Sequence, residues 1–367
     1  MSRPSTTPSR TRTASTTTTS TSNTISLLLL SVLIAILASF AILSPASITT
    51  RARAALQYFP FTRGYSGLST SVSAGNSATA ATATATTAAG VMMAKTPIYF
   101  LSHGGPNIMY QNDHPAFRKL QEIGREITQK VKPRAVVVFS AHWQGTRDTV
   151  QVNQAPLTEL IYDFYGFPGH YYKEKYPNVG SKEVAQKVIS AIQDAGMKAE
   201  GVKRGLDHGV WASFKCAFDP EENPLNVPIV QVSLFDTEDP VQHYKLGQAV
   251  SKLRDENIQI IVSGMAVHNL RDLQFTRGQT KPMPYTVSFD EALKDAVVTA
   301  PEQREKALVD LLKRGDARQA HPTFDHLLPI HVGAGAAGED MGDRLFTLKE
   351  GSMSWAQFRF GKVAANL

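Results

Sequence analysis

The chain has 367 residues, a formal net charge of +6 and a single cysteine, Cys216. A lone cysteine excludes an intramolecular disulfide and any thiolate metal cluster. All the excess charge belongs to six arginines (Arg3, Arg10, Arg12, Arg51, Arg53 and Arg63), because the other 32 Lys and Arg are matched by 32 Asp and Glu; a neutral remainder gives no electrostatic reason for a nucleic-acid partner.

No acid occurs before Asp113, and the first stretch of chain is compositionally distinct. Residues 1–24 read as a Ser/Thr-rich tail and residues 45–94 as a low-complexity linker, both expected to be disordered because they offer too little large apolar surface to offset chain entropy. Between them "ISLLLLSVLIAILASFAILS", Ile25 to Ser44, runs 20 residues without a charge. That is the length a membrane-spanning helix needs, about 20 residues, and more than the roughly 7–15 of a signal-peptide core. Arginines flank it on both sides, so loop charge sets no orientation. Three readings stand: a transmembrane anchor, an organelle-targeting signal, or an extension absent from a mature protein that starts at Met92 or Met93. The first two make the protein membrane-anchored or organelle-targeted, the third cytoplasmic.

Residues 95–367 read as one folded domain. Apolar, β-branched runs, "TPIYFLS", "AVVVFSA", "VPIVQVSLF" and "IQIIVSGM", predict strands. Between them "HPAFRKLQEIGREITQKV", "GSKEVAQKVISAIQDAG" and "DPVQHYKLGQAVSKLRDEN" carry apolar residues at helical spacing. Ser181 stands as N-cap of the second, and Gly196 closes it. A further helical region, "SFDEALKDAVVTAPEQREKALVDLLKR", follows the last of these strands. This alternation predicts an α/β fold with a mainly parallel or mixed central sheet flanked by helices. Ligands in such sheets gather at the carboxyl ends of the strands. No GxGxxG, P-loop, HExxH or GxSxG pattern occurs.

Three strand-like runs deliver a histidine at or just past that end: "IYFLSHGGP" with His103, "VVVFSAHW" with His142, and "IIVSGMAVHNL" with His268. Neutral imidazole is a common ligand for iron and zinc, so His103 and His142 suit a divalent metal. The Gly104-Gly105-Pro106 turn is expected to let backbone approach a ligand closely. His208 lies in "RGLDHGVW" beside Asp207, which could orient its ring. His326 lies in "HPTFDHLLPI" beside Asp325. Together these histidines supply two or three metal ligands plus one or two acid/base groups. His243 and His114 read as solvated residues, and Cys216 as a packed thiol rather than a nucleophile. In the aromatic stretch "IYDFYGFPGHYY" His170 and Tyr171 are candidates to reach a planar ligand, alongside the simpler reading of a packed loop.

"SHGGP", "FSAHW", "DFYGFPGHYY", "LDHGVW", "SGMAVHNL" and "HPTFDHLLPI" occur in the order found in class III extradiol ring-cleavage dioxygenases. The likeness covers about Thr96 to Phe360 and is strongest to the 4,5-DOPA dioxygenase branch, related to the catalytic β subunit of protocatechuate 4,5-dioxygenase. The closing "EGSMSWAQFRF" resembles that branch too. The resemblance implies one divalent metal ion, a catechol such as DOPA and O2 as substrates, and opening of the ring beside the diol. It makes His103, His142 and His326 metal ligands, His268 a further ligand or the histidine beside the substrate, and His208 the acid/base. Protocatechuate-cleaving relatives use a glutamate as third ligand; His326 in that place gives an all-histidine set, which admits Zn(2+) as well as Fe(2+). Two other readings share the scaffold or the residues: a Memo-type metal-binding or interaction protein, and a zinc hydrolase.

Overall fold

The computed structural model describes residues 95–364. The tail, the charge-free stretch and the linker, with the anchor or targeting signal expected there, lie outside the described residues. Among the described residues no helix is long and apolar enough to cross a membrane.

In chain order the first half contains β1 (Ile98–Ser102), α1 (Pro115–Glu126), β2 (Ala135–Gln144), β3 (Thr149–Asn153), α2 (Lys182–Asp194), β4 (Lys198–Val202), α3 (His208–Ala217) and β5 (Ile229–Leu234). The second half contains α4 (Pro240–Val250), β6 (Ile258–Gly264), β7 (Val267–His268), α5 (Leu270–Thr276), α6 (Pro284–Val298), α7 (Pro301–Leu311), α8 (Ala317–Ala320) and α9 (Leu328–Ala337), then β8 (Gly342–Phe346), β9 (Lys349–Glu350), β10 (Met353–Ser354) and β11 (Gln357–Phe360). Eight strands form one sheet in the order β4-β3-β5-β2-β6-β1-β11-β8. Its centre is parallel, β5 with β2, β2 with β6 and β6 with β1, while β11 and β8 run antiparallel at one edge. The expected α/β fold with a mixed sheet is therefore the one adopted.

Side-chain alternation along each strand feeds two apolar layers. Ile98, Phe100, Val137, Phe139, Ile260 and Val262 face the layer covered by α2, α4, α6, α7 and α9. Tyr99, Leu101, Val136, Val138 and Ile261 face the other, covered by α1 and α3. Both faces being buried explains why these strands read as unbroken apolar runs. Ser181 caps α2 as expected, accepting from Val184 N at 3.2 Å, and Gly196 takes φ +79° just past its end.

The "SFDEALK…" region is two helices, because Pro301 has no N–H to continue a ladder and starts α7 instead. α9 was not expected from its Gly- and Ala-rich sequence. Its small residues let it lie against α4: a Cβ on Gly335 would stand 1.9 Å from Tyr244 O, and one on Gly247 2.0 Å from Val332 O.

Candidate metal centre

The neighbouring strands β2, β6 and β1 end together, and three histidines meet there. His103 follows β1, its backbone N–H donating to Gly264 O at 3.0 Å and so extending the β1–β6 ladder by one residue. His142 lies within β2, where the pairing with β5 shifts register between Phe139 and Gln144. Such an irregularity re-aims side chains. His326 arrives from the far side of the sequence. Its carbonyl accepts from Met265 N at 2.9 Å, and it comes so close to the end of β6 that a Cβ on Gly264 would lie 2.2 Å from its oxygen. Gly209 supplies the floor: a Cβ there would stand 2.8 Å from the His142 ring and 3.2 Å from the His103 ring.

Each of the three rings has its Nδ1 fixed. His142 Nδ1 meets Asp163 Oδ2 at 3.0 Å, and His326 Nδ1 meets Asp325 Oδ2 at 2.6 Å. His103 Nδ1 is 2.9 Å from Ser263 Oγ, whose own proton goes to Gly209 O. In all three cases the partner acts as acceptor, so Nδ1 carries the hydrogen and Nε2 is the nitrogen left to bind. The Nε2 atoms converge, with His142 Nε2 3.2 Å from that of His103 and 3.2 Å from that of His326. Nitrogen lone pairs facing one another at that distance need a proton or a cation between them. Metal–nitrogen bonds of about 2.1 Å set neighbouring donors about 3.0 Å apart in an octahedron and about 3.4 Å apart in a tetrahedron. The observed spacing falls between, and the donor set fits a divalent ion.

Burial, and then the neighbouring imidazoles of His142, His326, His208 and His268, hold His103 well below the ordinary histidine range. Burial also lowers His326, although Asp325 opposes it. At His142 burial works against the proton but is outweighed by the hydrogen bond to Asp163 and the charges of Asp207, Asp163 and Asp325, so this ring alone of the three is raised. Asp163 itself is driven well below the carboxylate range, because His142 and His208 overcome its own burial. The two carboxylates behind the ligands are therefore ionised.

Two further expected histidines border the centre. His208 opens α3 and brings a ring nitrogen within 4.8 Å of His103 and His142. Its Nδ1 is bound to Asp163 Oδ1 at 2.9 Å. His268 stacks on His326, ring centroids 3.7 Å apart and planes 10° from parallel.

Several neighbouring expectations change. Asp207 does not hold His208; its carboxylate accepts from Ser140 Oγ at 2.7 Å, Arg204 Nη1 at 3.0 Å and the Gln231 amide. The Gly104 backbone makes room for Trp355, whose ring a Cβ would meet at 2.2 Å, rather than for a ligand. His243 is fully buried, with Nδ1 2.7 Å from Asp239 O and its ring edge-on to Phe235 at 5.8 Å. His114 caps α1 and pairs with Glu350 at 3.1 Å. His170 and Tyr171 pack on Tyr110. Cys216 is buried and inert as expected, its thiol pushed far up by desolvation. Asp163 and Ser263 were missed; the one signal for Asp163 is that it is the only acid in its aromatic stretch.

Comparison with known proteins gives the family. Residues 91–358 match the family described as the catalytic LigB subunit of aromatic ring-opening dioxygenase. A 4,5-DOPA dioxygenase extradiol of Beta vulgaris is 34% identical over 271 residues, which is 71% of this chain and 95% of that protein. A 4,5-DOPA dioxygenase extradiol of Escherichia coli is 30% identical over 268 residues, covering 72% and 94%. The crystal structure of an uncharacterized Escherichia coli K12 protein superposes with a TM-score of 0.59 at 28% identity, covering 73% of this chain and 100% of that one. With the match spanning nearly the whole described fold, the chain belongs to the LigB family and is an aromatic ring-opening extradiol dioxygenase.

Proposed function

We propose that the protein cleaves a catechol with a DOPA-like side chain, using O2 and one divalent metal held by His103, His142 and His326. The observation that carries this reading is the convergence of Nε2 atoms at 3.2 Å, each ring fixed from behind by an acceptor. The names of the relatives support the DOPA-like substrate. Fe(II) when bound would supply the route for electrons from the catechol to dioxygen, whereas zinc fits the same nitrogens but has no redox chemistry to offer.

The chain's own residues do the rest. His208, kept neutral by burial and by the nearby His142 despite Asp163, accepts a catechol proton at Nε2 and returns it during ring opening. The rings of His268 and His326 are nearly parallel with centroids 3.7 Å apart, so His268 lies face to face with His326 rather than in line with its lone pair. His268 accordingly stands beside the substrate, buttressing His326. Phe164, edge-on to His208 at 5.5 Å, supplies an apolar wall.

The test is anaerobic loading with Fe(II), followed by DOPA and simple catechols under an oxygen electrode. Oxygen uptake with a yellow ring-opened product is expected, and none from zinc-loaded protein. Silence across the catechol panel with iron bound overturns the reading.

A further inference from the structure

We propose that Asp163 is a positioning residue whose single carboxylate sets the tautomers of His142 and His208 together, coupling metal retention to proton transfer; this rests on the metal-site reading above. Its Oδ2 takes His142 Nδ1 at 3.0 Å, while Oδ1 takes both His208 Nδ1 at 2.9 Å and the His208 backbone N–H at 3.0 Å. An ionised carboxylate only accepts. Both rings must therefore carry hydrogen on Nδ1 and present the Nε2 lone pair to the centre. The two imidazoles sit side by side, 4.1 Å apart centroid to centroid, each with its Nδ1 on this one group.

The loop that carries Asp163 is tied to the segment that carries His208. Ile161 N donates to Leu206 O at 2.7 Å, and Trp211 Nε1 donates to Ile161 O at 3.0 Å. The carboxylate is thus delivered by the same unit as the acid/base histidine, and reaches from it to a ligand on β2. His326 has its own carboxylate, Asp325, and His103 its serine. Among the described residues only Asp163 serves two of the five histidines.

This geometry makes an unusual demand of an amide. In Asp163→Asn the oxygen has to remain on the His208 side, because a backbone N–H there can never become an acceptor. The amide N–H then points at His142 Nδ1, which must give up its hydrogen and move it to Nε2, the atom needed for the metal. In Asp163→Ala the vacated, partly exposed space admits water, which can accept from both rings. A tautomer-setting role therefore ranks the variants wild type, Ala, Asn in falling metal affinity. A merely structural role ranks Ala last, since it loses more contacts.

The experiment is Zn(II) binding by competition with a chromophoric chelator for wild type, Asp163→Asn and Asp163→Ala, with Tm of the metal-free proteins beside it. We expect Asn to weaken binding by about 10–100-fold, Ala by less, and the Asn Tm to stay near wild type. Equal affinity of Asn and wild type, or Ala weaker than Asn, overturns the proposal. Wild type that takes up no Zn(II) overturns the metal-site reading and this inference with it.

Discussion

At the scale of single residues the proposed function divides the centre into groups that would hold the ion and groups that would move protons. His103→Ala or His142→Ala removes one of the converging Nε2 atoms, and metal content by elemental analysis and turnover should fall together. His208→Gln leaves the Nε2 contacts of His142 with His103 and His326 in place, so on the proposed ligand set metal should stay stoichiometric while kcat drops about 10²–10⁴-fold, the range expected for losing an acid/base. Retained stoichiometric metal in His103→Ala would overturn the ligand assignment. The five histidines were legible because each stands at a strand end or beside a turn, where the fold class puts ligands. Their acceptors were legible only in part. Asp325 is next to His326 in sequence and is its partner, whereas Asp207 is next to His208 and is not. At the start of a helix adjacent side chains diverge, and the true partner, Asp163, lies 45 residues away, a separation no local pattern encodes.

At the scale of elements, what was readable was whatever carries large apolar side chains in a regular period. β1, β2, β5 and β6 announce themselves by β-branched runs. α9 escaped because its packing uses the absence of side chains, with Gly335 and Gly247 letting backbones approach. The same device fixes α3 against α1: a Cβ on Gly124 would stand 1.7 Å from Ala217 O, at the end of the helix that His208 begins. Backbone cannot yield as a flexible side chain does. Gly124→Ala should therefore destabilise the fold by about 1–3 kcal/mol in urea titrations, the usual scale for overpacking. It should also shift α3, and with it His208, Gly209 and the Asp163 carboxylate bonded to the His208 backbone, lowering kcat and Zn(II) affinity together. A Gly124→Ala protein with wild-type stability would show that the α1–α3 approach is looser than described.

At the scale of the molecule the domain carries a cost for burying imidazoles away from the centre as well as in it. His331 on α9 is fully buried, with Nε2 3.3 Å from Leu308 O and His243 of α4 as the nearest titratable ring. Desolvation, aided by His243, pushes its pKa down to about 4 from the ordinary 6.5. Above pH 6.5 the ring is neutral folded and unfolded, and contributes nothing to pH dependence. Between 6.5 and 4 the unfolded chain takes up a proton that the folded chain refuses, so stability falls as the pH falls, by about 1.4 kcal/mol per unit for this one residue. Below 4 both states are protonated and the loss is complete. His331→Gln retains a side-chain N–H for Leu308 O but cannot titrate. Going from pH 7 to pH 5, wild type should lose about 2 kcal/mol more than this variant in urea unfolding of the metal-free protein, where ligand protonation is common to both. Parallel pH dependence of the two proteins would mean that His331 is protonated, or reaches water, in the folded state. Acid sensitivity would then belong to the other buried histidines, His243, His321 and those of the proposed metal site, and a tightly bound ion should deepen it, because the folded protein then refuses protons that the unfolded chain takes up.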